Sequence, residues 1–162
     1  MKHQAKRLAL GGLAIAVIFL CTALIKIPGP LGYVHLGDAA IVAFSLALGM
    51  DAVLPALLGS ALADVVGGYL VYAPVTALVK AVMAALIAKL GRRTWRARLA
   101  AVIGAEALMV AAYFVFESVL YGLPAAAGAL AFNIVQGLGG AGVGLLVAPV
   151  CRRAVRLAEK QN

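Results

Sequence analysis

Four ionisable residues stand inside otherwise apolar stretches of this chain: Asp64, Lys80, Glu106 and Glu117. A charge in a hydrocarbon environment costs at least ~2.5–3.5 kcal/mol on insertion scales, so its default reading is functional. Helical spacing gives these groups company. Thr76 and Lys80 are i, i+4 neighbours, Ser60 and Asp64 likewise; Glu106, Tyr113 and Glu117 share one helical face, and Asn133, Gln136 and Gly137 another. Upstream, residues 26–40 read KIPGPLGYVHLGDAA, with two prolines, three glycines, Tyr33, His35 and Asp38. Such groups suit holding a molecule rather than transforming one. No nucleophile stands at recognisable spacing from a base, and there is no metal-ligand cluster or Walker motif. The expectation is a non-enzyme without metal or cofactor.

The elements that position these groups follow from composition. The chain is 65% hydrophobic, with a mean hydropathy of +1.06. That leaves too little polar residue to cover a soluble globule, so lipid is the expected solvent for most of its surface. Apolar segments run over residues 8–25, 39–48, 52–66, 74–90, 99–121 and 125–150. The first follows MKHQAKR and reads as an uncleaved helix rather than a signal peptide, since it is about as long as a bilayer is thick. Residues 26–40 cannot continue it, because Pro28 and Pro30 lack backbone donors and push their predecessors out of the helical region.

Charge decides whether residues 39–66 make one span or two. Twelve of the 14 basic residues fall in three clusters: Lys2, Lys6 and Arg7; Lys89, Arg92, Arg93, Arg96 and Arg98; Arg152, Arg153, Arg156 and Lys160. Six spans put all three on one side, as the positive-inside rule asks, and five do not. The expected fold is an all-α membrane protein of six transmembrane helices, a single domain over residues 1–162 with both termini cytoplasmic. Loops 26–38 and 67–73 then face outward, the first as part of a lid. Asp51 is placed to cap the third helix and Pro74 to open the fourth. The net charge of +8 is accounted for by topology and lipid headgroups, so no nucleic-acid partner is expected. Cys21 and Cys151 fall toward opposite faces, too far apart to bridge.

Counting inward at ~1.5 Å per residue, Lys80, Tyr113 and Asn133 each lie roughly 9–14 Å below the outer ends of their helices. Asp64, Tyr69, Tyr72 and Glu117 lie nearer that end. Polar groups at one level beneath a loop describe a ligand cup, not a pore. Plainer readings stand beside this one. Lys80 can be neutralised by Glu117 or Asp64; Asn133 and Gln136 can be interhelical hydrogen-bond glue; the tyrosines can be interfacial aromatics; His35 can serve only its own loop. Glu106 lies deeper and suits helix packing. Gly137–Gly142 fits GxGxxG, but no strand precedes it, so close helix packing explains it.

The basic start leading into an Ala/Gly-rich helix, the loop IPGPLGYVHLGDAA, and GSALADVVGGYLVYAP running into the helix of Lys80 together resemble the substrate-binding S components of energy-coupling-factor (ECF) vitamin transporters. The likeness covers almost the whole chain and is strongest over residues 26–80. Within the family it is most like the riboflavin, hydroxymethylpyrimidine and pyridoxine group. The resemblance implies capture of one small water-soluble vitamin from outside a prokaryotic cell membrane. It also implies docking through a small-residue face of helix one onto a membrane-embedded coupling subunit that carries two ATPases. The docking feature maps to Ala5 and Ala9, or shifted to Gly12 and Ala16. Ligand contacts would come from Tyr33, His35, Asp38, Tyr72, Thr76, Lys80, Tyr113, Glu117, Asn133 and Gln136. The competing reading is a stand-alone, homo-oligomeric small transporter or channel, which would need a polar path to the inner face that apart from Glu106 is missing from the sequence.

Overall fold

A computed structural model describes residues 2–91 and 94–160, with side chains for residues 4–91 and 94–158. Arg92, Arg93 and the side chains of Lys2 and Lys160 from the basic clusters lie outside these described residues. The order of elements is α1 (Lys2–Ala23), β1 (Lys26–Pro28), β2 (Tyr33–His35), α2 (Gly37–Leu48), a 3-10 turn (Gly49–Ala52), α3 (Val53–Val66), α4 (Ala73–Leu90), α5 (Trp95–Tyr121) and α6 (Leu123–Lys160).

Five helical stretches are long and apolar enough to cross a membrane: Gln4–Ala23, Gly37–Val66, Ala73–Leu90, Trp95–Tyr121 and Leu123–Ala158. Length and composition thus count α2, the 3-10 turn and α3 as one stretch of 30 residues, where charge asked for two spans. The stretch is broken at Gly49, whose φ of 67° lies in the left-handed region that glycine enters without a Cβ clash. Asp51 does not cap α3. It sits within the 3-10 turn and is bound by Arg7 of α1, an exposed pair, while the α3 cap position is Ala52. Pro74 does stand in the first turn of α4.

Two boundaries differ from expectation. α5 starts at Trp95 because Thr94 caps it, its hydroxyl accepting from the Ala97 N–H at 3.1 Å. α6 runs on to Lys160, past the apolar segment, as a polar amphipathic extension carrying Arg152, Arg153 and Arg156. The segment after α1 is not irregular either. Lys26, Ile27 and Pro28 pair antiparallel with His35, Val34 and Tyr33, making a short hairpin. Pro28 is tolerated because both strands are sheet edges.

The helices pack through small residues. A Cβ on Gly59 would fall 2.9 Å from the Ile15 carbonyl oxygen, so α1 and α3 meet almost backbone to backbone. Gly144 does the same for α6 on α2, where Val42 and the Ala39 carbonyl fill the space a side chain would need. Gly140 lies against Asp38 of α2 and Glu106 of α5, and Gly137 against Glu106, so the glycine run of α6 is a packing surface. The main apolar core joins Val42 and Leu46 of α2 with Met83 and Ile87 of α4 and Val102 and Met109 of α5.

Side-chain contacts sort the ends of the bundle. At one end Arg7 meets Asp51, Arg152 donates to the Leu46 carbonyl at 3.0 Å, and Arg98 donates to the Gly91 carbonyl at 3.4 Å. At the other lie the hairpin, the turn before α4 and the end of α5, where the Tyr72 and Tyr121 rings stack 6.4 Å apart.

Candidate functional site

The hairpin roofs a cleft whose free volume, open mouth included, is about 530 Å³. Tyr33, His35, Tyr72, Thr76, Tyr113, Glu117, Asn133 and Gln136 all line it, as do Asp64 and Tyr69. These side chains come from the hairpin, α3, the turn before α4, α4, α5 and α6. The roof is the loop 29–32, closed by a Gly29 N–H to Gly32 carbonyl bond of 2.9 Å and leaning on Phe132 of α6.

One wall is aromatic. Tyr33 and Tyr69 lie 5.0 Å apart centroid to centroid, Tyr69 and Tyr72 6.2 Å, and Tyr72 and Tyr113 6.4 Å, all tilted or edge-on. Such a row presents faces and edges to a flat ring. The lining also holds amide and carboxylate groups: Asn133 donates to Glu117 at 3.3 Å. Tyr33 donates to Asp64 at 3.0 Å, and the Thr76 and Tyr113 hydroxyls are 3.0 Å apart. Burial, with Asp64 beside it, raises the Tyr33 phenol above its ordinary pKa; burial, with Glu117 nearby, does the same for Tyr72. Both therefore offer a hydroxyl proton at any physiological pH.

Two of the sequence-selected residues do not reach this cleft. Lys80 and Asp38 are each 0% exposed and bind one another at 2.5 Å beneath it. The sequence offers Glu117 or Asp64 as the partner of Lys80; the structure gives Asp38 instead. The reason is topological: Asp38 sits in the first turn of α2, directly below the hairpin, and α2 packs against both α4 and α6. Sequence periodicity within single helices carries no signal of that pairing.

From the pair a chain of hydrogen bonds climbs to the roof. Lys80 donates to one Asp38 oxygen, Gln136 donates to the other at 2.8 Å, and the Gln136 carbonyl oxygen accepts the His35 backbone N–H at 3.3 Å. His35 then turns back on its own loop, its Nδ1 accepting the Gly37 N–H at 3.1 Å. That acceptor role needs the neutral ring, and burial lowers the His35 pKa to about 4. Lys80 also lies 5.4 Å from the Tyr113 ring centre, so floor and aromatic wall share one cation.

Glu106, 4% exposed, packs against Gly137 and Gly140, and among the described residues neither carboxylate oxygen has a hydrogen-bond partner. It lies below the cleft and does not line it. On α1, Ala5, Ala9, Gly12 and Ala16 all face outward, while Ala14 and Ile18 are buried against the bundle. The four form one stripe at spacings of 4, 3 and 4. Sequence reasoning passed over Phe132, which holds the loop tip; its apolar type in an apolar helix gave nothing to single it out.

An aromatic and amide cleft at one end of an apolar helical bundle, closed by a hairpin and floored by a sealed ion pair, can bind and enclose a small polar molecule. No three of His, Cys, Asp and Glu among the described residues group as metal ligands. The sequence matches the family described as ECF-type riboflavin transporter, S component, over residues 2–153. No curated protein sequence matches the chain. With nearly the full length matched, the chain belongs to the family of ECF transporter S components, membrane-embedded vitamin-binding subunits.

Proposed function

We propose that this subunit captures a flat heteroaromatic vitamin, riboflavin foremost, with pyridoxine and hydroxymethylpyrimidine as smaller candidates. The observation that carries this is that a tyrosine row and two carboxamides line one cleft. A flavin ring has two apolar faces and a pyrimidine-dione edge of alternating donors and acceptors. Tyr33, Tyr69, Tyr72 and Tyr113 suit the faces, and Asn133 and Gln136, each both donor and acceptor, suit the edge. Thr76, Glu117 and His35 complete the proposed contacts. Asp38 and Lys80 act as positioning residues, fixing Gln136 from below.

We further propose six spans with cytoplasmic termini. The support is that contacts at Arg7, Leu46, Gly91, Arg98 and Arg152 gather the basic ends at one end of the bundle. The hairpin and the 67–73 turn lie at the other, where loops 26–38 and 67–73 would act as lids. α2 descends from the hairpin and α3 returns to it, since Tyr33 reaches Asp64 near the α3 end. The stripe Ala5, Ala9, Gly12 and Ala16 is the proposed docking face for the coupling subunit and its ATPase pair. A homo-oligomeric channel is disfavoured because the Lys80–Asp38 pair that floors the cleft is sealed from solvent.

Titration of the purified protein with riboflavin, read by quenching of flavin fluorescence, tests the assignment. Saturable one-to-one binding, at least tenfold weaker in Asn133→Ala, is expected. If pyridoxine or hydroxymethylpyrimidine binds and riboflavin does not, the ring assignment is wrong. Binding of none of the three overturns the proposal.

A further inference from the structure

A second cleft opens at the opposite end of the bundle, between α1 and α6, with the end of α2 as its back wall. It encloses about 940 Å³ of free space, open mouth included. Arg7, Arg152 and Arg156 line it with one carboxylate, Asp51, which Arg7 already engages through both Nε and a terminal nitrogen. The rest of the lining among the described residues is apolar, with Leu10 and Leu48 among it. On its flanks Leu8 of α1 and Leu157 of α6 are exposed to the surroundings of the bundle.

A cleft between two membrane helices lined by guanidinium groups and by aliphatic side chains matches a molecule that is anionic at one end and hydrocarbon at the other. We infer that this cleft binds the phosphate headgroup of an anionic phospholipid, with one acyl chain lying along Leu10 and Gly11. Among the described residues three guanidinium groups meet one carboxylate there, and arginine's planar fork suits phosphate oxygens. Room for the chain is present at Gly11, where an added Cβ would meet nothing within 4 Å. Arg152 also ties α6 to the Leu46 carbonyl, an end-of-helix acceptor, so a lipid held there bridges α1, α2 and α6 where α1 and α6 themselves scarcely touch. The inference stands apart from which vitamin the other cleft takes.

The test is lipid retention by native mass spectrometry of purified protein titrated with phosphatidylglycerol, with phosphatidylcholine and inorganic phosphate as separate arms. Phosphatidylglycerol is expected to bind saturably, phosphatidylcholine at least tenfold more weakly, and phosphate to compete only marginally. Arg156→Gln, which among the described residues severs a contact within its own helix, should weaken retention about fivefold, and Arg152→Gln/Arg156→Gln about 25-fold. Gly11→Leu should weaken it similarly by filling the chain's space. Arg153→Gln, exposed and outside the cleft, should change nothing. Equal retention of the two lipids, full competition by phosphate, or an equal loss in Arg153→Gln overturns the inference. So does an Arg156→Gln protein that keeps its lipid but no longer assembles with the coupling subunit, which would assign the arginines to an acidic protein partner.

Discussion

Replacing Lys80 by methionine should unfold the bundle more than it empties the cleft. Nζ and Oδ1 are 2.5 Å apart with both side chains sealed from solvent. At an effective dielectric of ~20 the gross attraction is roughly 6–7 kcal/mol, most of it offset by desolvation of the two ions. What a single substitution exposes is the offset: Lys80→Met leaves Asp38 buried with Gln136 as its one remaining side-chain donor among the described residues. The expected loss is about 3–5 kcal/mol, and Asp38→Asn should cost a similar amount by stranding the ammonium. The double variant Asp38→Asn/Lys80→Met removes both charges and keeps an acceptor toward Gln136, so it should return to within about 1–2 kcal/mol of the parent. Unfolding free energies from denaturant titration in mixed micelles give the three values and their coupling energy. Losses that simply add, leaving the double variant about 6–10 kcal/mol less stable, would refute the idea that the two charges form one unit. A double variant that is stable yet still binds ligand at parental affinity would show that Gln136 holds its place without them.

Protonation of His35 should loosen the roof. Its folded pKa of about 4 lies below the ordinary 6.5, so the neutral ring's contribution is complete above pH 6.5 and is lost as pH falls toward 4, at most about 3 kcal/mol. Amide exchange of the hairpin at pH 7 and pH 4.5 checks this, and His35→Gln should flatten the dependence. Gly144→Ala should cost about 1–3 kcal/mol, since its Cβ would meet Val42 and the Ala39 carbonyl, whereas Gly139→Ala, in open space, should be neutral or slightly stabilising in the same unfolding titration. Ala9→Trp on the outward stripe of α1 should leave ligand titration unchanged while reducing co-purification with the coupling subunit at least tenfold; undiminished co-purification would move docking elsewhere.

The apolar runs and their punctuation made the helices readable because lipid solvation and the 3.6-residue period act locally. Tyr113 and Asn133 could be brought to one level by rise per residue alone, and both line the cleft, whereas Lys80, counted to the same level, is sealed beneath it. The Asp38–Lys80 pair was not legible, since it depends on how α2 is turned against α4, a tertiary choice with no period in the sequence. The hairpin escaped for a related reason. Two prolines and three glycines announce a break in helix, but the Lys26–His35 register is set by what the ends of α1 and α2 allow. Asp51 misled because a carboxylate before a helix suits a cap, while Arg7, 44 residues away, offers it a full charge.

The two layers of the site differ in what holds them. Below, the ion pair and the glycine-packed α2–α6 contact admit no exchange with water, so their geometry is fixed by the fold itself. Above, the hairpin is fastened by Tyr33 to Asp64 and by the His35 N–H to Gln136, and both acceptors sit beside or line the cleft. On the proposed reading, a ligand that takes hydrogen bonds from these groups replaces the roof's fastenings one for one. Opening and filling then nearly balance in hydrogen-bond free energy, and the net gain comes from burying ring faces against Tyr33, Tyr69 and Tyr72. Affinity should therefore follow the aromatic area a ligand covers, while the carboxamides decide which ring edge is accepted. Phe132, beside Gly29, adds an apolar contact at the loop tip that such a ring would also meet.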